Sequence, residues 1–251
     1  MLKYSIVITT FDKRLRECLI PLVNSIKLQR SSVEIIVIVN GRANADFNEV
    51  YRTELLEFLA HQNNCFPTIF TNFQSLAKMW NRGILTASNE QVLVCNDDIS
   101  IPKNEGGGFF DHLELILTQN QSTFKINGSF SHFMISKADL MRVGYFDERL
   151  LGIGEEDGDF VWRYHQALGK EIPNIDIIGI DNTGSPLFDE GFTKGIRQYS
   201  RFNRDFIKQE KYQRSLIGGH KGMFDHKVKK ILSDRNQYPY EEFYLRNKHK
   251  I

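Results

Sequence analysis

Four short apolar runs mark the first hundred residues: 4–10 (YSIVITT), 34–40 (EIIVIVN), 67–70 (PTIF) and 91–95 (QVLVC). Each reads as a short strand, and the first, β-branched and stopped by polar residues, suits a strand buried on both faces. Between them the apolar positions change to helical spacing. Leu15, Leu19, Leu22, Val23 and Ile26 trace one helix, with Pro21 marking a kink or a restart. Residues 47–59 predict a second helix with Val50, Leu55, Phe58 and Leu59 inward, and residues 76–87 a third. Further along, 110–117 and 137–143 read as helices, and 131–136 and 175–180 as strands. A helix rich in Arg, Phe and Tyr begins near residue 195 and leads into a basic tail.

Strands and helices alternating in this way predict an α/β fold with a mostly parallel sheet covered by helices on both faces. We expect one domain over residues 1–194 and a helical, basic extension over 195–251 packed on it. In such sheets ligands bind beyond the carboxyl ends of the strands. Thr9, Thr10, Phe11 and Asp12 lie at one such end, Asn40 to Arg42 at another, and Asn96-Asp97-Asp98 at a third. The run Gly106-Gly107-Gly108 lacks the spaced glycines of a phosphate-binding fingerprint and reads as a loop.

Composition narrows the class. At 251 residues, 41% hydrophobic and 25% charged, the chain is ordinary for a globular protein, and a net charge of +1 argues against nucleic acid as its partner. Three scattered cysteines offer neither a disulfide framework nor a zinc spacing. The opening apolar run is too short for a signal peptide, and no stretch approaches the ~20 apolar residues of a membrane span. A cytoplasmic protein is expected, with membrane contact at most peripheral. The basic and aromatic residues of 197–214 suit an amphipathic helix packed on the domain, or alternatively one resting on anionic lipid.

Two acidic clusters carry the chemistry. In GIGEEDGDFVWR (152–163), Glu155, Glu156, Asp157 and Asp159 crowd the entrance to a helix. Acids cap helices well, but one or two suffice, and a larger number repel one another unless a cation or a proton-transfer role absorbs the charge. Asp159, in the first turn, suits capping best. Asn96-Asp97-Asp98, directly after a buried strand, reads equally as an Asx turn or as oxygen ligands for a divalent cation.

The ordered motifs resemble a known family. QVLVCNDDI followed by GYFDERLLGIGEEDGDFVWR is similar to family 2 glycosyltransferases of the GT-A fold, and the second segment also resembles the β-1,4-galactosyltransferase signature. YSIVITTFDKR, EIIVIVNGRAN and LAKMWNRGILTASNEQVLV match the opening strand, the second strand and the helix before the metal strand. The resemblance implies a metal-dependent, inverting transfer of sugar from a nucleotide-sugar, a UDP-sugar favoured, to a saccharide or lipid-linked acceptor in polysaccharide synthesis. By the same resemblance Asp157 is the catalytic base and Glu156 contacts the acceptor. Asp98 and Asp181 hold Mn2+ or Mg2+, while Thr9, Thr10, Phe11, Asn40, Arg42, Asn81, Asn96, Asp97 and Gly154 bind the donor. Gly152 and Gly154 would be hinges. Two departures stand out: Asn40 replaces an aspartate that contacts uracil, and Asp181 stands where relatives carry a histidine, for which His220 or His226 are substitutes. The alternatives are a non-catalytic nucleotide-sugar-binding module and a sugar-phosphate nucleotidylyltransferase; TTFDKR has no glycine-rich phosphate loop to support the latter.

Overall fold

The computed structural model describes residues 3–42, 45–103, 108–119, 123–183, 190–211 and 240–251, with the side chains of 190–197 and 240–243 excepted. Gly106, Gly107, His220 and His226 lie outside the described residues. The chain divides into two compact units. The first comprises residues 1–73, 82–139 and 172–187; the second comprises 74–81, 140–171 and 188–251.

The first unit is built on a seven-stranded mixed sheet. Its strands are β1 (Tyr4–Phe11), β2 (Glu34–Asn40), β3 (Cys65–Ile69), β4 (Gln91–Asn96), β6 (Phe124–Ile126), β7 (Ser129–Ser136) and β8 (Asn174–Ile175), in the order β3-β2-β1-β4-β7-β6-β8. The pairs β3/β2, β2/β1, β1/β4 and β6/β8 are parallel, whereas β4/β7 and β7/β6 are antiparallel. A small ribbon pairs β5 (Ile99–Ser100) with β9 (Asp181–Asn182). In β1, β2 and β4 the continuous apolar runs are explained by burial on both faces, whereas β3 at the sheet edge is partly exposed. Ile6, Ile8, Val37 and Leu93 enter the main core beneath helices α1 (Ile20–Gln29), α2 (Glu49–Ala60) and α4 (Phe109–Thr118). On the opposite face Gly83, in helix α3 (Leu76–Thr86), lies so close to Val7 and Ile38 that an added Cβ would stand 2.3 Å from the Val7 side chain. Each strand isoleucine or valine so buried contributes about 1.5–3 kcal/mol.

Pro21 marks a restart. Residues Leu15–Leu19 form a π-turn in which Leu19 N–H donates to Arg14 O (3.0 Å), and Pro21 stands in the first turn of α1, where no donor is needed. In α2 the Asn48 side chain accepts from the N–H groups of Val50 and Tyr51, and this start sets the phase. Leu55, Phe58 and Leu59 face the core as expected, Tyr51 joins them, and Val50 alone of the expected inner residues is exposed. The hairpin β6–β7 was not anticipated. It turns on Asn127-Gly128, both at positive φ (53° and 74°), and that dipeptide is itself a hairpin signal. The strand expected at 175–180 does not form beyond Ile175. Ile177 and Ile180 are buried, but Ile177 exchanges its backbone bonds with the Asn127 amide instead of a neighbouring strand.

In the second unit, helix α6 (Glu156–Leu168) follows the acidic loop, and α7 (Glu190–Phe206) continues through a π-turn over Ile207–Lys211. Leu150, Leu151, Phe206 and Ile207 form one of its apolar clusters, with Trp162, Tyr199, Phe202, Tyr244 and Ile251 packed around it. Over the described residues 198–211, Tyr199, Phe202, Phe206 and Ile207 pack inside the unit. No helix among the described residues is long and apolar enough to cross a membrane.

Candidate active site

In the first unit the carboxyl ends of β1 and β4 lie side by side, with Thr9 opposite Asn96 in the register. Thr9 Oγ1 donates to Asn96 Oδ1 (3.2 Å), and Thr10 Oγ1 donates to Asp97 Oδ2 (2.6 Å). A residue not anticipated from the sequence completes the cluster. Arg14, buried just after β1, places Nη1 2.6 Å from Asp97 Oδ1 and 3.4 Å from Asp98 Oδ2. Its guanidinium also lies 4.6 Å from the centre of the Phe11 ring. Burial raises the Asp97 carboxyl to about 6 against the opposing pull of Arg14. Asp97 is therefore fully engaged inside the protein.

Asp98 is different. Its Oδ2 meets Arg14, but Oδ1 is buried without a hydrogen-bond partner. Leaving such a lone pair unsatisfied costs about 1–3 kcal/mol. A hard divalent cation is the natural complement of a buried, orphaned carboxylate oxygen, so the residue fits a metal. Among the described residues no three His, Cys, Asp or Glu side chains converge tightly enough to hold one unaided. Asp181 is exposed, and its strand β9 pairs with β5 immediately after Asp98. Arg42, at the end of β2, is ion-paired with Asp12.

The second unit holds the acidic helix entrance. Glu155 adopts a left-handed conformation (φ 73°), and α6 starts after it with no side-chain cap. Glu155 Oε1 accepts from Ser200 Oγ (2.7 Å) and pairs with Arg204 (3.1 Å). Asp159 is not a cap. It is fully buried between Arg163 Nε (2.9 Å) and Lys211 Nζ (2.7 Å), and Lys211 also reaches Asp147 (2.8 Å), which pairs with Arg149. Lys211, Arg149 and Arg163 hold the Asp147 carboxyl and its neighbour Asp159 below the usual range despite burial. Among the described residues Glu156 has no basic partner. Buried beside Asp157, it is pushed up to about 8, although its Oε2 accepts the Gly154 N–H (2.6 Å). Asp157 is half-buried, with Oδ1 accepting the Gly158 N–H (2.7 Å).

No family model matches the chain, and no curated protein matches its sequence. Solved structures do. A structure of GalNAc-T7 with UDP, GalNAc and Mn2+ aligns over 99% of this chain and 57% of its own, with a TM-score of 0.59 at 12% identity. S. aureus TarS 1-349 in complex with UDP aligns over 81% and 66% (TM-score 0.54, 16% identity). The mannosyltransferase PcManGT from Pyrobaculum calidifontis, in complex with GDP-Man and Mn2+, aligns over 90% and 65% (TM-score 0.54, 10% identity). The chain has the GT-A glycosyltransferase fold. It spans only 57% to 66% of the length of these three proteins.

In a GT-A sheet β1, β2 and β4 are the strands whose carboxyl ends carry Thr9, Thr10, Phe11, Asn40, Asn96, Asp97 and Asp98, and these residues fall there as the sequence suggested. Asn81 belongs to the second unit, where its amide bridges Phe146 N–H (3.0 Å), Phe146 O (2.8 Å) and Glu148 (2.9 Å). Gly154 likewise belongs to the second unit. Its N–H goes to Glu156, its carbonyl accepts from Asn203, and an added Cβ would stand 2.9 Å from Ser200. Gly152 (φ 56°) abuts the Tyr199 ring. These two glycines are demanded by packing. Arg14 was visible in TTFDKR, yet only the fold reveals that it points back to the acids.

Proposed function

We propose that the chain is a metal-dependent glycosyltransferase that moves a sugar from a nucleotide-sugar to an acceptor hydroxyl. The observation that carries this reading is Asp98, whose buried Oδ1 has no partner at the end of the central strand pair of a GT-A sheet. Asp98 would hold the divalent cation, which when bound neutralises charge on the departing diphosphate. Arg14 and Thr10 fix Asp97, so that Asp98 is the carboxylate left available. Phe11, at the tip of β1, offers a ring face to the nucleobase, with Thr9, Asn40 and Asn96 as polar contacts.

The acceptor hydroxyl attacks the anomeric carbon, the bond to the diphosphate breaks with its electron pair, and Asp157 takes the hydroxyl proton. Attack opposite the leaving group inverts the configuration. Glu156, largely protonated at neutral pH, holds the Gly154 N–H and shapes the loop beside the base. A UDP-sugar donor and a saccharide or lipid-linked acceptor are the substrates to test first.

A screen of nucleotide-sugars by thermal shift, with and without Mn2+, tests the reading, since a bound donor raises stability by mass action. The expected result is a metal-dependent shift, slow donor hydrolysis without acceptor, and loss of the shift in Asp98→Ala. Binding with no hydrolysis or transfer under any acceptor would make the chain a nucleotide-sugar-binding module instead.

A further inference from the structure

One buried histidine in the first unit has no part in the reading above. His132 lies on β7, directly opposite Cys95 on β4, three residues before Asp98. The ring is buried. Its Nδ1 is 2.9 Å from Ser131 Oγ, which is 2.6 Å from Ser129 Oγ, and Ser129 Oγ accepts the Ser131 N–H. The other nitrogen, Nε2, is buried with no hydrogen-bond partner, like Asp98 Oδ1. Burial lowers the pKa of the ring, against the opposing charges of Asp181 and Asp98. A buried imidazole whose Nδ1 is fixed by an oxygen and whose Nε2 is empty has the form of a metal ligand with its outer partner in place.

We propose that His132 is the second protein ligand of the cation held by Asp98, binding through Nε2. This rests on the reading of Asp98 as a cation ligand. The orphaned oxygen and the orphaned nitrogen are then satisfied by one ion, and oxygens of a nucleoside diphosphate complete its shell. The histidine also sets the choice of metal. Mg2+ takes oxygen ligands almost exclusively, whereas imidazole suits softer transition ions, so the site discriminates in favour of manganese. Asp181, exposed on β9, then contributes its charge rather than a bond.

The test is Mn2+ titrated into the full chain in the presence of UDP and followed by electron paramagnetic resonance, with Mg2+ measured by competition. The wild type should bind Mn2+ and show nitrogen coupling in the pulsed spectrum. His132→Ala should weaken Mn2+ by about tenfold or more, weaken Mg2+ much less, and abolish that coupling. Ser131→Ala, which frees the ring, should show a smaller loss of the same kind. If folded His132→Ala bound Mn2+ like the wild type while Asp98→Ala did not bind, His132 would be excluded and the Asp98 assignment kept. Unchanged binding in both variants, or no binding by the wild type, would remove both. Should His132→Ala fail to fold, His132→Gln takes its place. Nitrogen coupling that persists in this variant, or is missing from the wild type, overturns the proposal.

Discussion

The two acidic clusters look alike in sequence and are held in opposite ways. At the end of β4 two carboxylates share one guanidinium, Arg14, and one oxygen of Asp98 is left over. At the entrance to α6 the deepest acid is the best compensated: Asp147 and Asp159 together face Arg149, Arg163 and Lys211. Glu155 has Arg204, and among the described residues no basic side chain pairs with Glu156 or Asp157. An acidic run is therefore not a unit of function. What separates the acids is how many cations serve them: Asp147 and Asp159 have two apiece, whereas Asp97 and Asp98 share Arg14.

That distinction is sharpest when each class is substituted. Asp157→Asn and Asp98→Ala should each lower sugar transfer by about 10²–10³-fold or more, with thermal unfolding in the absence of metal shifted by less than about 1 kcal/mol. Loss of fold in either variant would erase the distinction. Lys211→Ala should do the reverse. It strips a cation from two buried acids and should destabilise by about 3–5 kcal/mol in urea unfolding, although the residue touches no substrate in this reading.

Glu156 supplies a pH signature. Its folded value of about 8 lies above the ordinary glutamate value, so the folded state binds more protons than the unfolded one between about pH 4.5 and 8. Its contribution to stability is therefore greatest in acid and falls as the pH rises through that window. Glu156→Gln should flatten this part of the stability profile and gain on the wild type by about 1–3 kcal/mol near pH 8. A profile unchanged by the substitution would mean that Glu156 is compensated after all. Gly152→Ala should have the smallest effect, about 1–2 kcal/mol, from a left-handed backbone and a Cβ pressed on the Tyr199 ring. Tyr199→Ala in the same chain should recover part of the packing term, which differential scanning calorimetry can resolve.

Strands β1, β2 and β4 were legible because they are buried on both faces and leave unbroken apolar runs. So was the placing of Asn96-Asp97-Asp98, since polar residues that stop such a run must stand at a strand end. Elsewhere the same signal misled. Ile177 and Ile180 are as buried as strand residues, yet their segment is tied down by an asparagine side chain, which apolar patterning does not register. Val50 looked inward because it is apolar, yet it stands in the first turn of α2 beside the Asn48 cap and is exposed. The partners of Asp159, and Arg14 beneath Asp97, arise from tertiary packing. Lys211 lies 52 residues from the acid it neutralises, so no local spacing could announce it.

Pro67, set in β3, bears on behaviour at high concentration. The N–H of Phe70 points inward to Val39 O, so by alternation position 67 turns its nitrogen toward the open edge of the sheet. A proline there offers no donor to an incoming strand. At the other end β8 is only two residues long and is preceded by Pro173. Both margins of the sheet are thus poor templates for self-association, and a chain with a net charge of only +1, which has little electrostatic repulsion to keep copies apart, gains from that its protection against edge-to-edge aggregation.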